Sequence, residues 1–417
     1  MSGEDQHLTA LYQRFPVNLA RGKGVRVWDT SGKEYIESMG GYGVALVGHC
    51  NDRVVAAIKK QADTLITAHM SVYNDTRLKF MEKMSTIAPP GLNKMFFTNS
   101  GAESVEGALK FARKYAGKHG VIAMNGAYHG KTFGALSVTY NERYRKSFMP
   151  LLEGVKFVPY SDPSKLEEAI DDTTGAVILE PIQGETGIIV PPDDLLPKIR
   201  EICTRRNLVL VFDEIQAGLG RTGKMWAGQN WNTTPDIMCL AKGIAGGIPM
   251  GLILAKPEIM EATKLGEHSS TFGGSPIACA AGTATLEALT DDKLVENAAK
   301  VGSHFKENLN RLKEKHKIIR EVRGVGMMLA VELRFEVKDV LFDGIRNGLL
   351  MLYSGRNIIR LLPPLVMDET TVSHAVDIMD DILRKKSIQL GLEPSYKLDN
   401  SEKSTVNSKN SKESQLS

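Results

Sequence analysis

The sequence predicts an α/β protein in which a mostly parallel sheet is covered by helices on both faces, followed by a smaller α+β unit. Three observations carry this. Between about residues 94 and 290, short β-branched apolar runs alternate with helix-period stretches, the pattern of a sheet buried on both sides. After about residue 290 a long charged helix leads into paired strands. The 417 residues, with 42% hydrophobic and 24% charged, hold enough apolar material for two or three domains and exclude wholesale disorder.

The chain opens on MSGEDQHLTA, which has no apolar stretch and does not read as a secretory signal. RVWDTSGKEYIESM alternates around the turn Asp29-Thr30-Ser31-Gly32 and predicts a hairpin. A helix is expected over 52–66. Lys94 to Thr98 is a short strand, and Ala102, Val105, Leu109 and Ala112 fall on one face of the helix after it. Further buried strands are expected at VIAMN, GALSVT, VKFVPY, GAVILEP, LVLVFDE, DIMCLA and GLILA. The later unit has a helix through Asn297 and Lys315, two strands in REVRGVGMMLAVELR, and a last helix over 369–386. The end is rich in Ser, Lys and Asn with almost no large apolar residue. It is read as a disordered tail over 391–417.

Fifty-two Lys+Arg against 49 Asp+Glu leave a net charge of +3, which gives no footprint for nucleic acid or membrane. No apolar run is long enough to span a bilayer. The four cysteines, Cys50, Cys203, Cys239 and Cys279, are scattered, which argues against a zinc site or a disulfide framework. A cytoplasmic enzyme with no metal site is the expectation. GLGRTGKM over 218–225 nearly matches a phosphate-binding loop. Met225, however, has no hydroxyl for magnesium, no strand leads into the loop, and the aspartate-ending strand comes before it. A P-loop nucleotide hydrolase, the rival from a different class, is therefore a poor reading. Gly41-Tyr42-Gly43 is a lone G-x-G and reads as a turn.

Six segments gather chemistry, mostly at strand ends, where open α/β sheets bind ligands. Ser100-Gly101-Ala102 begins a helix, and its amides suit an anion, although Ser100 alone reads as a helix cap. Tyr128, in NGAYHGK, offers a ring face or is a core aromatic. Asp213, in LVLVFDEIQ, ends an apolar strand and needs a partner such as a cationic heterocycle, or else is a structural ion pair. Lys242 ends another apolar strand, a setting that lowers an amine's pKa and suits Schiff-base chemistry, against the ordinary reading of a solvated lysine. Ser270-Thr271 offers hydroxyls to a phosphate. Arg360 lies inside the apolar run IIRLLPPL, where it demands an anion or forms a structural salt bridge.

Taken in order, NSGAESVEGALKFAR, AYHGKTFGALS, AVILEPIQGETG, VFDEIQAGLGRTGK, LAKGIAGGIPMG, STFGGSPIACAAG and IIRLLPPL resemble the class III (ω-amino) aminotransferases from about residue 10 to about 387. The resemblance implies the type I fold of pyridoxal 5'-phosphate enzymes. In it, 51–290 is the large cofactor-binding domain, and the small domain is built from 1–50 and 291–390. It also accounts for GLGRTGK, which matches the family's block after the aspartate strand.

By this resemblance Lys242 forms the Schiff base with the cofactor and shuttles the proton, and Asp213 holds the pyridine nitrogen. Tyr128 stacks on the ring and Gln216 reaches its hydroxyl. Ser100, Gly101 and Ala102 hold the phosphate. Thr271 reaches the phosphate from the other subunit of a homodimer with shared sites. Arg360 clamps the α-carboxylate of glutamate or 2-oxoglutarate, and Glu185 neutralises that arginine when an ω-amine is bound.

Within the family the chain looks like the acetylornithine group, and more narrowly the branch that makes lysine or ornithine on a small acidic amino-group carrier protein. GGYGVALVGH, SVTYNERYRKSFMPL and REVRGVGMML carry that likeness. Tyr42 and Ser270 then fall at substrate-contacting positions. Lys131 stands where these enzymes usually have an arginine for the distal carboxylate. Lysine keeps the charge without the bidentate fork, and also resembles the diamine (putrescine-type) members. The implied reaction is ping-pong transamination between glutamate and a terminal semialdehyde. Putrescine, 4-aminobutyrate and free ornithine are the alternative substrates. A silent scaffold that kept the fold is disfavoured by the intact Lys242 and Asp213.

Overall fold

The computed structural model describes residues 3–392. Of the tail expected over 391–417, all but Gly391 and Leu392 lie outside the described residues. Among the described residues no helix is long and apolar enough to cross a membrane.

Leu19–Lys23 (β1), Arg26–Asp29 (β2) and Glu34–Glu37 (β3) form an antiparallel meander, and the expected hairpin is β2–β3. Asp29 closes that hairpin by accepting from the backbone of Ser31 and Lys33. Lys94–Thr98 (β4), Gly120–Met124 (β5), Val155–Val158 (β6), Thr174–Leu179 (β7), Val209–Asp213 (β8), Ile237–Leu240 (β9) and Gly251–Ala255 (β10) make one seven-stranded sheet, in the order β4-β10-β9-β8-β7-β5-β6. Only β10 runs antiparallel to its neighbours. Strands β5, β7, β8, β9 and β10 are buried at every residue, which is why they read as unbroken apolar runs.

Ile319–Val325 (β11), Met328–Leu333 (β12), Leu349–Leu350 (β13), Leu352–Ser354 (β14) and Ile358–Leu361 (β15) follow. Four of them form the sheet β11-β12-β15-β14, while β13 pairs in parallel with β3 and ties the first strands to the last third of the chain. The helix Leu294–Lys315 lies against β11, and Glu369–Gln389 packs along that helix. The largest core cluster runs without a break from Leu286 and Leu289 through Leu294 and Ala298 to Leu383.

One expected strand is a helix. The first four residues of GALSVT, 134–137, lie in the short helix Phe133–Ser137. The cause is a side chain from a distant helix: Glu106 accepts from Thr132 Oγ1 at 2.6 Å and from the amides of Gly134 and Ala135 at 2.7 and 3.2 Å. That carboxylate satisfies the free amides of a helix start, which local propensity does not reveal. The helix expected over 52–66 ends earlier, at Ala62.

Candidate active site

A cavity of about 790 Å³ opens beyond the carboxyl ends of β4, β5, β7, β8 and β9. Each strand delivers a short segment into it. After β4, Asn99 and Ser100 lead into the helix Gly101–Ala116. Ser100 Oγ accepts from the Glu103 amide at 3.2 Å, so the serine is the helix cap and also lines the cavity. This leaves the first amides of the helix, at Gly101 and Ala102, directed at the cavity with the positive end of the helix dipole behind them. A side chain at Gly101 would come within 2.8 Å of Ile215, so the position stays bare.

After β5 come Tyr128, His129, Gly130 and Lys131. Burial pushes the Tyr128 hydroxyl up to about 12, and its ring meets Tyr144 edge-on with centroids 6.1 Å apart. Lys131 Nζ stands 4.4 Å from the centre of the Tyr144 ring, a cation–π contact at the cavity wall. After β8, Asp213 is 4% exposed. One carboxylate oxygen pairs with His129 Nδ1 at 2.8 Å, and the other accepts from the Ile215 amide at 3.0 Å. Gln216 follows. Its Oε1 is buried without a hydrogen-bond partner among the described residues, and it approaches bare Gly184 so closely that a Cβ there would stand 2.0 Å away.

Lys242 stands two residues after β9, at the start of the tight turn Lys242–Ala245, in a left-handed backbone conformation, φ 46°. For a residue with a side chain this is unfavourable, and it is held by packing: a Cβ on Gly243 would meet Leu46 at 2.7 Å. Burial draws the Lys242 amine below the ordinary lysine value, against the pull of Asp213, Glu180 and Glu185.

Arg360, on β15, is 1% exposed. It donates to the Gly184 carbonyl at 3.0 Å and to the Tyr353 carbonyl at 3.2 Å, and it pairs with Glu185 at 2.9 Å. Glu185 lines the cavity, and Arg360 lies behind it. Tyr42 enters from the turn after β3 and also lines the cavity.

Of the residues expected from the sequence, the cavity collects Tyr42, Ser100, Gly101, Ala102, Tyr128, Lys131, Glu185, Asp213, Gln216 and Lys242. Ser270 and Thr271 line a separate hollow of about 360 Å³ beside it, where Ser270 Oγ accepts from Asn99 Nδ2 at 3.2 Å. Thr271 is exposed.

Two residues were missed. His129, in the AYHG segment, is the buried partner of Asp213. Its adjacency to Tyr128 was the available signal. Glu180, in AVILEP, accepts from the amides of Tyr128 and Gly184 at 3.0 and 2.9 Å, and burial pushes it up to about 7.

Glu214, adjacent to Asp213, turns away from the cavity and accepts from the amides of Ala227 and Gly228 at 2.8 and 2.9 Å. Burial pushes it up to about 7 as well. A carboxyl raised in this way holds its proton in the fold while the unfolded chain has already lost it. Its contribution to stability is full below about pH 4.5 and is lost as pH rises through 7. Glu214 alone carries about 3 kcal/mol of that fall. In Glu214→Gln the loss of one acceptor lowers Tm at every pH, but the decline in Tm between about pH 5 and 7 should flatten, which calorimetry across that range checks.

A buried amine, a buried carboxylate across the cavity, an aromatic face, an unpartnered amide oxygen and the open start of a helix together fit a phosphorylated pyridine aldehyde. The chain belongs to the class III aminotransferases: the model of that family, Aminotransferase class-III, matches residues 9–383. It is therefore a pyridoxal-phosphate-dependent transaminase of the type I fold. Among its relatives, the acetylornithine aminotransferase of Caldanaerobacter subterraneus subsp. tengcongensis is 42% identical over 91% of this chain and 98% of its own. That of Methanocaldococcus jannaschii is 41% identical over 91% and 96%. Among solved structures, the ornithine aminotransferase from Toxoplasma gondii ME49 superposes with a TM-score of 0.89 at 33% identity, covering 93% of this chain and 94% of that one. The acetylornithine aminotransferase from Elizabethkingia anophelis gives 0.82 at 33%, covering 92% and 97%.

Proposed function

We propose that this transaminase moves the amino group of glutamate, which leaves as 2-oxoglutarate, to the terminal semialdehyde carbon of an ω-amino acid, with N-acetylornithine as the preferred amine product. The names of the relatives support the substrate class. The observation that carries the reading is the Arg360–Glu185 pair at 2.9 Å, with the arginine 1% exposed and the carboxylate 36% exposed. While Glu185 covers Arg360 the site is neutral there and accepts a chain that presents its terminal amine. When Glu185 swings aside, the buried guanidinium offers a fork to the α-carboxylate of glutamate or 2-oxoglutarate. One pocket thus serves both halves of a ping-pong cycle.

The bound cofactor supplies an electron sink for the carbanion formed at the substrate carbon. The chain does the rest. Lys242 would hold the cofactor covalently and, as a free amine, would carry the proton. Asp213, backed by His129, keeps the ring nitrogen protonated. Tyr128 would cover one ring face, Gln216 would meet the ring hydroxyl, and Ser100, Gly101 and Ala102 would hold the phosphate. Tyr42 and Lys131 would face the far end of the ω-substrate from the cavity wall, and Ser270, in the neighbouring hollow with Thr271, would contact it only from a second copy.

Thr271 completes the phosphate site of a second copy in a homodimer. Its surroundings support this: Arg77 ties the Ala68 and Val72 carbonyls to that of Gly274, and exposed Ile66, Met70, Val72, Tyr73 and Phe272 lie on these two loops. A surface this apolar is expected to be covered. The reaction belongs to cytoplasmic arginine biosynthesis. In lysine biosynthesis the same terminal amine would be presented on a small acidic carrier protein.

A half-reaction panel followed by cofactor absorbance tests this. Glutamate should discharge the visible band, and N-acetylornithine should do so faster than ornithine, putrescine, 4-aminobutyrate or carrier-linked lysine. Arg360→Lys should slow the glutamate half-reaction about a hundredfold and the acetylornithine half-reaction far less. Lys131→Arg should sharpen the preference for acetylornithine over putrescine. If glutamate gives no response, the assignment of Arg360 and Glu185 fails; if putrescine ranks first, the diamine reading replaces this one.

A further inference from the structure

Tyr42 stands on an improbable piece of backbone. Gly40, Gly41, Tyr42 and Gly43 have φ of 57°, 54°, 62° and 87°, four consecutive residues in the left-handed region. Glycine adopts this freely, whereas a tyrosine does so only when its surroundings impose it. Gly40 cannot carry a side chain, because a Cβ would stand 2.2 Å from the Leu362 carbonyl oxygen. A Cβ on Gly43 would lie 3.9 Å from Gln216 and 4.0 Å from the Lys242 stem, so the turn forms part of the cavity wall over the reactive lysine.

The imposing group is a carboxylate. Glu37 is 2% exposed, and its Oε1 accepts from the amides of Met39 at 2.9 Å and Gly41 at 3.4 Å. Successive amides converging on an anion make a nest, and here the anion is built into the chain. Its Oε2 pairs with His49 Nε2 at 2.8 Å. Behind it is Arg221, from the GLGRTGK run that resembled a phosphate loop. It is fully buried and donates to the carbonyls of Met327 and Pro363, while its Nε and Nη2 have no hydrogen-bond partner among the described residues. Nη2 lies 3.9 Å from where a Gly40 Cβ would stand, and the charge of Glu37 supports that of Arg221 against burial. A buried guanidinium with unspent donors is costly, and the charge of Glu37 offsets part of that cost without a direct bond between the two.

We propose that Glu37, paired with His49 and bonded to the Met39 and Gly41 amides, is a positioning residue that fixes the left-handed Gly40–Gly43 turn and thereby sets where Tyr42 meets the ω-amino substrate. This rests on the reading that Tyr42 faces that substrate and not glutamate.

The test separates the two half-reactions of the holoenzyme by cofactor absorbance. Glu37→Gln should reduce kcat/KM for N-acetylornithine about ten- to a hundredfold, mostly through KM, and leave the glutamate half-reaction within about twofold. Gly41→Ala guards against misfolding of the buried variant. The position is exposed and a Cβ would have only Val44 near it, at 4.0 Å, so it disturbs the backbone preference alone and should show the same selective loss. In a Tyr42→Ala background Glu37→Gln should cost nothing further, because the two act as one unit. Equal slowing of both half-reactions, or additive losses in the double variant, would overturn the inference. If Tyr42→Ala slows the acetylornithine half-reaction but Glu37→Gln and Gly41→Ala do not, the positioning role alone fails. If Tyr42→Ala has no effect there, the substrate reading beneath it fails first.

Discussion

A Lys242→Ala protein is expected to purify without the visible absorbance of bound cofactor and to transaminate at least about 10⁴-fold more slowly, the upper end of what a positioned general base alone contributes. The argument starts from the protonation state. Burial lowers the Lys242 pKa more than the neighbouring carboxylates raise it. The neutral, nucleophilic amine is therefore present at lower pH than on an exposed lysine. Its left-handed backbone, with Gly243 pressed on Leu46, points one amine at one place. Alanine removes nucleophile and base together. Lys242→Arg is the sharper control, since arginine keeps charge and length but cannot deprotonate in a protein. It should be as inactive as alanine. Borohydride treatment of the native protein should fix the cofactor to the peptide containing Lys242. A label on any other peptide, or a coloured Lys242→Ala protein, would refute the assignment.

Much of this arrangement could be read from the chain because it lies at strand ends. The runs VLVFD and IMCL are buried at every residue, so the charged groups after them have to stand at the rim of the sheet, where a ligand can meet them. Arg360 was legible for a related reason: a lone guanidinium in IIRLLPPL implies an anion, and Glu185 is there at 2.9 Å. What escaped depends on groups far apart in sequence. The helical state of 133–137 is set by Glu106, and the partner of Asp213 is His129, 84 residues away. The Tyr42 turn is bonded to the Glu37 carboxylate, which pairs with His49 twelve residues on. No periodicity or local spacing encodes such pairs. Thr271 is a different case: within one chain it lies outside the cavity, in the neighbouring hollow.

Asp213→Asn is expected to bind cofactor and to lower turnover about 10³-fold, the scale on which losing one preorganised electrostatic contact slows an enzyme. The substitution is nearly isosteric. The oxygen of the introduced side-chain amide would still accept from the Ile215 amide. Its nitrogen can donate to His129 Nδ1 if the imidazole takes its other tautomer, with the proton on Nε2. What is lost is the negative charge proposed to keep the ring nitrogen protonated. The same change has a second, opposite consequence. Asp213 is among the groups that raise the Lys242 pKa, so its removal leaves desolvation less opposed and takes that pKa further down. The amine then stays neutral to lower pH. The pH profile of cofactor capture by the unloaded protein should shift toward acid while turnover collapses. A damaged lysine would impair both, whereas a lost ring-nitrogen contact impairs only turnover. His129→Asn should fall between the native protein and Asp213→Asn, because the carboxylate keeps its charge but loses the 2.8 Å bond that orients it. If Asp213→Asn turns over within a few-fold of the native enzyme, the protonated ring nitrogen is not what the carboxylate provides, and the division of labour between Asp213 and Lys242 has to be redrawn.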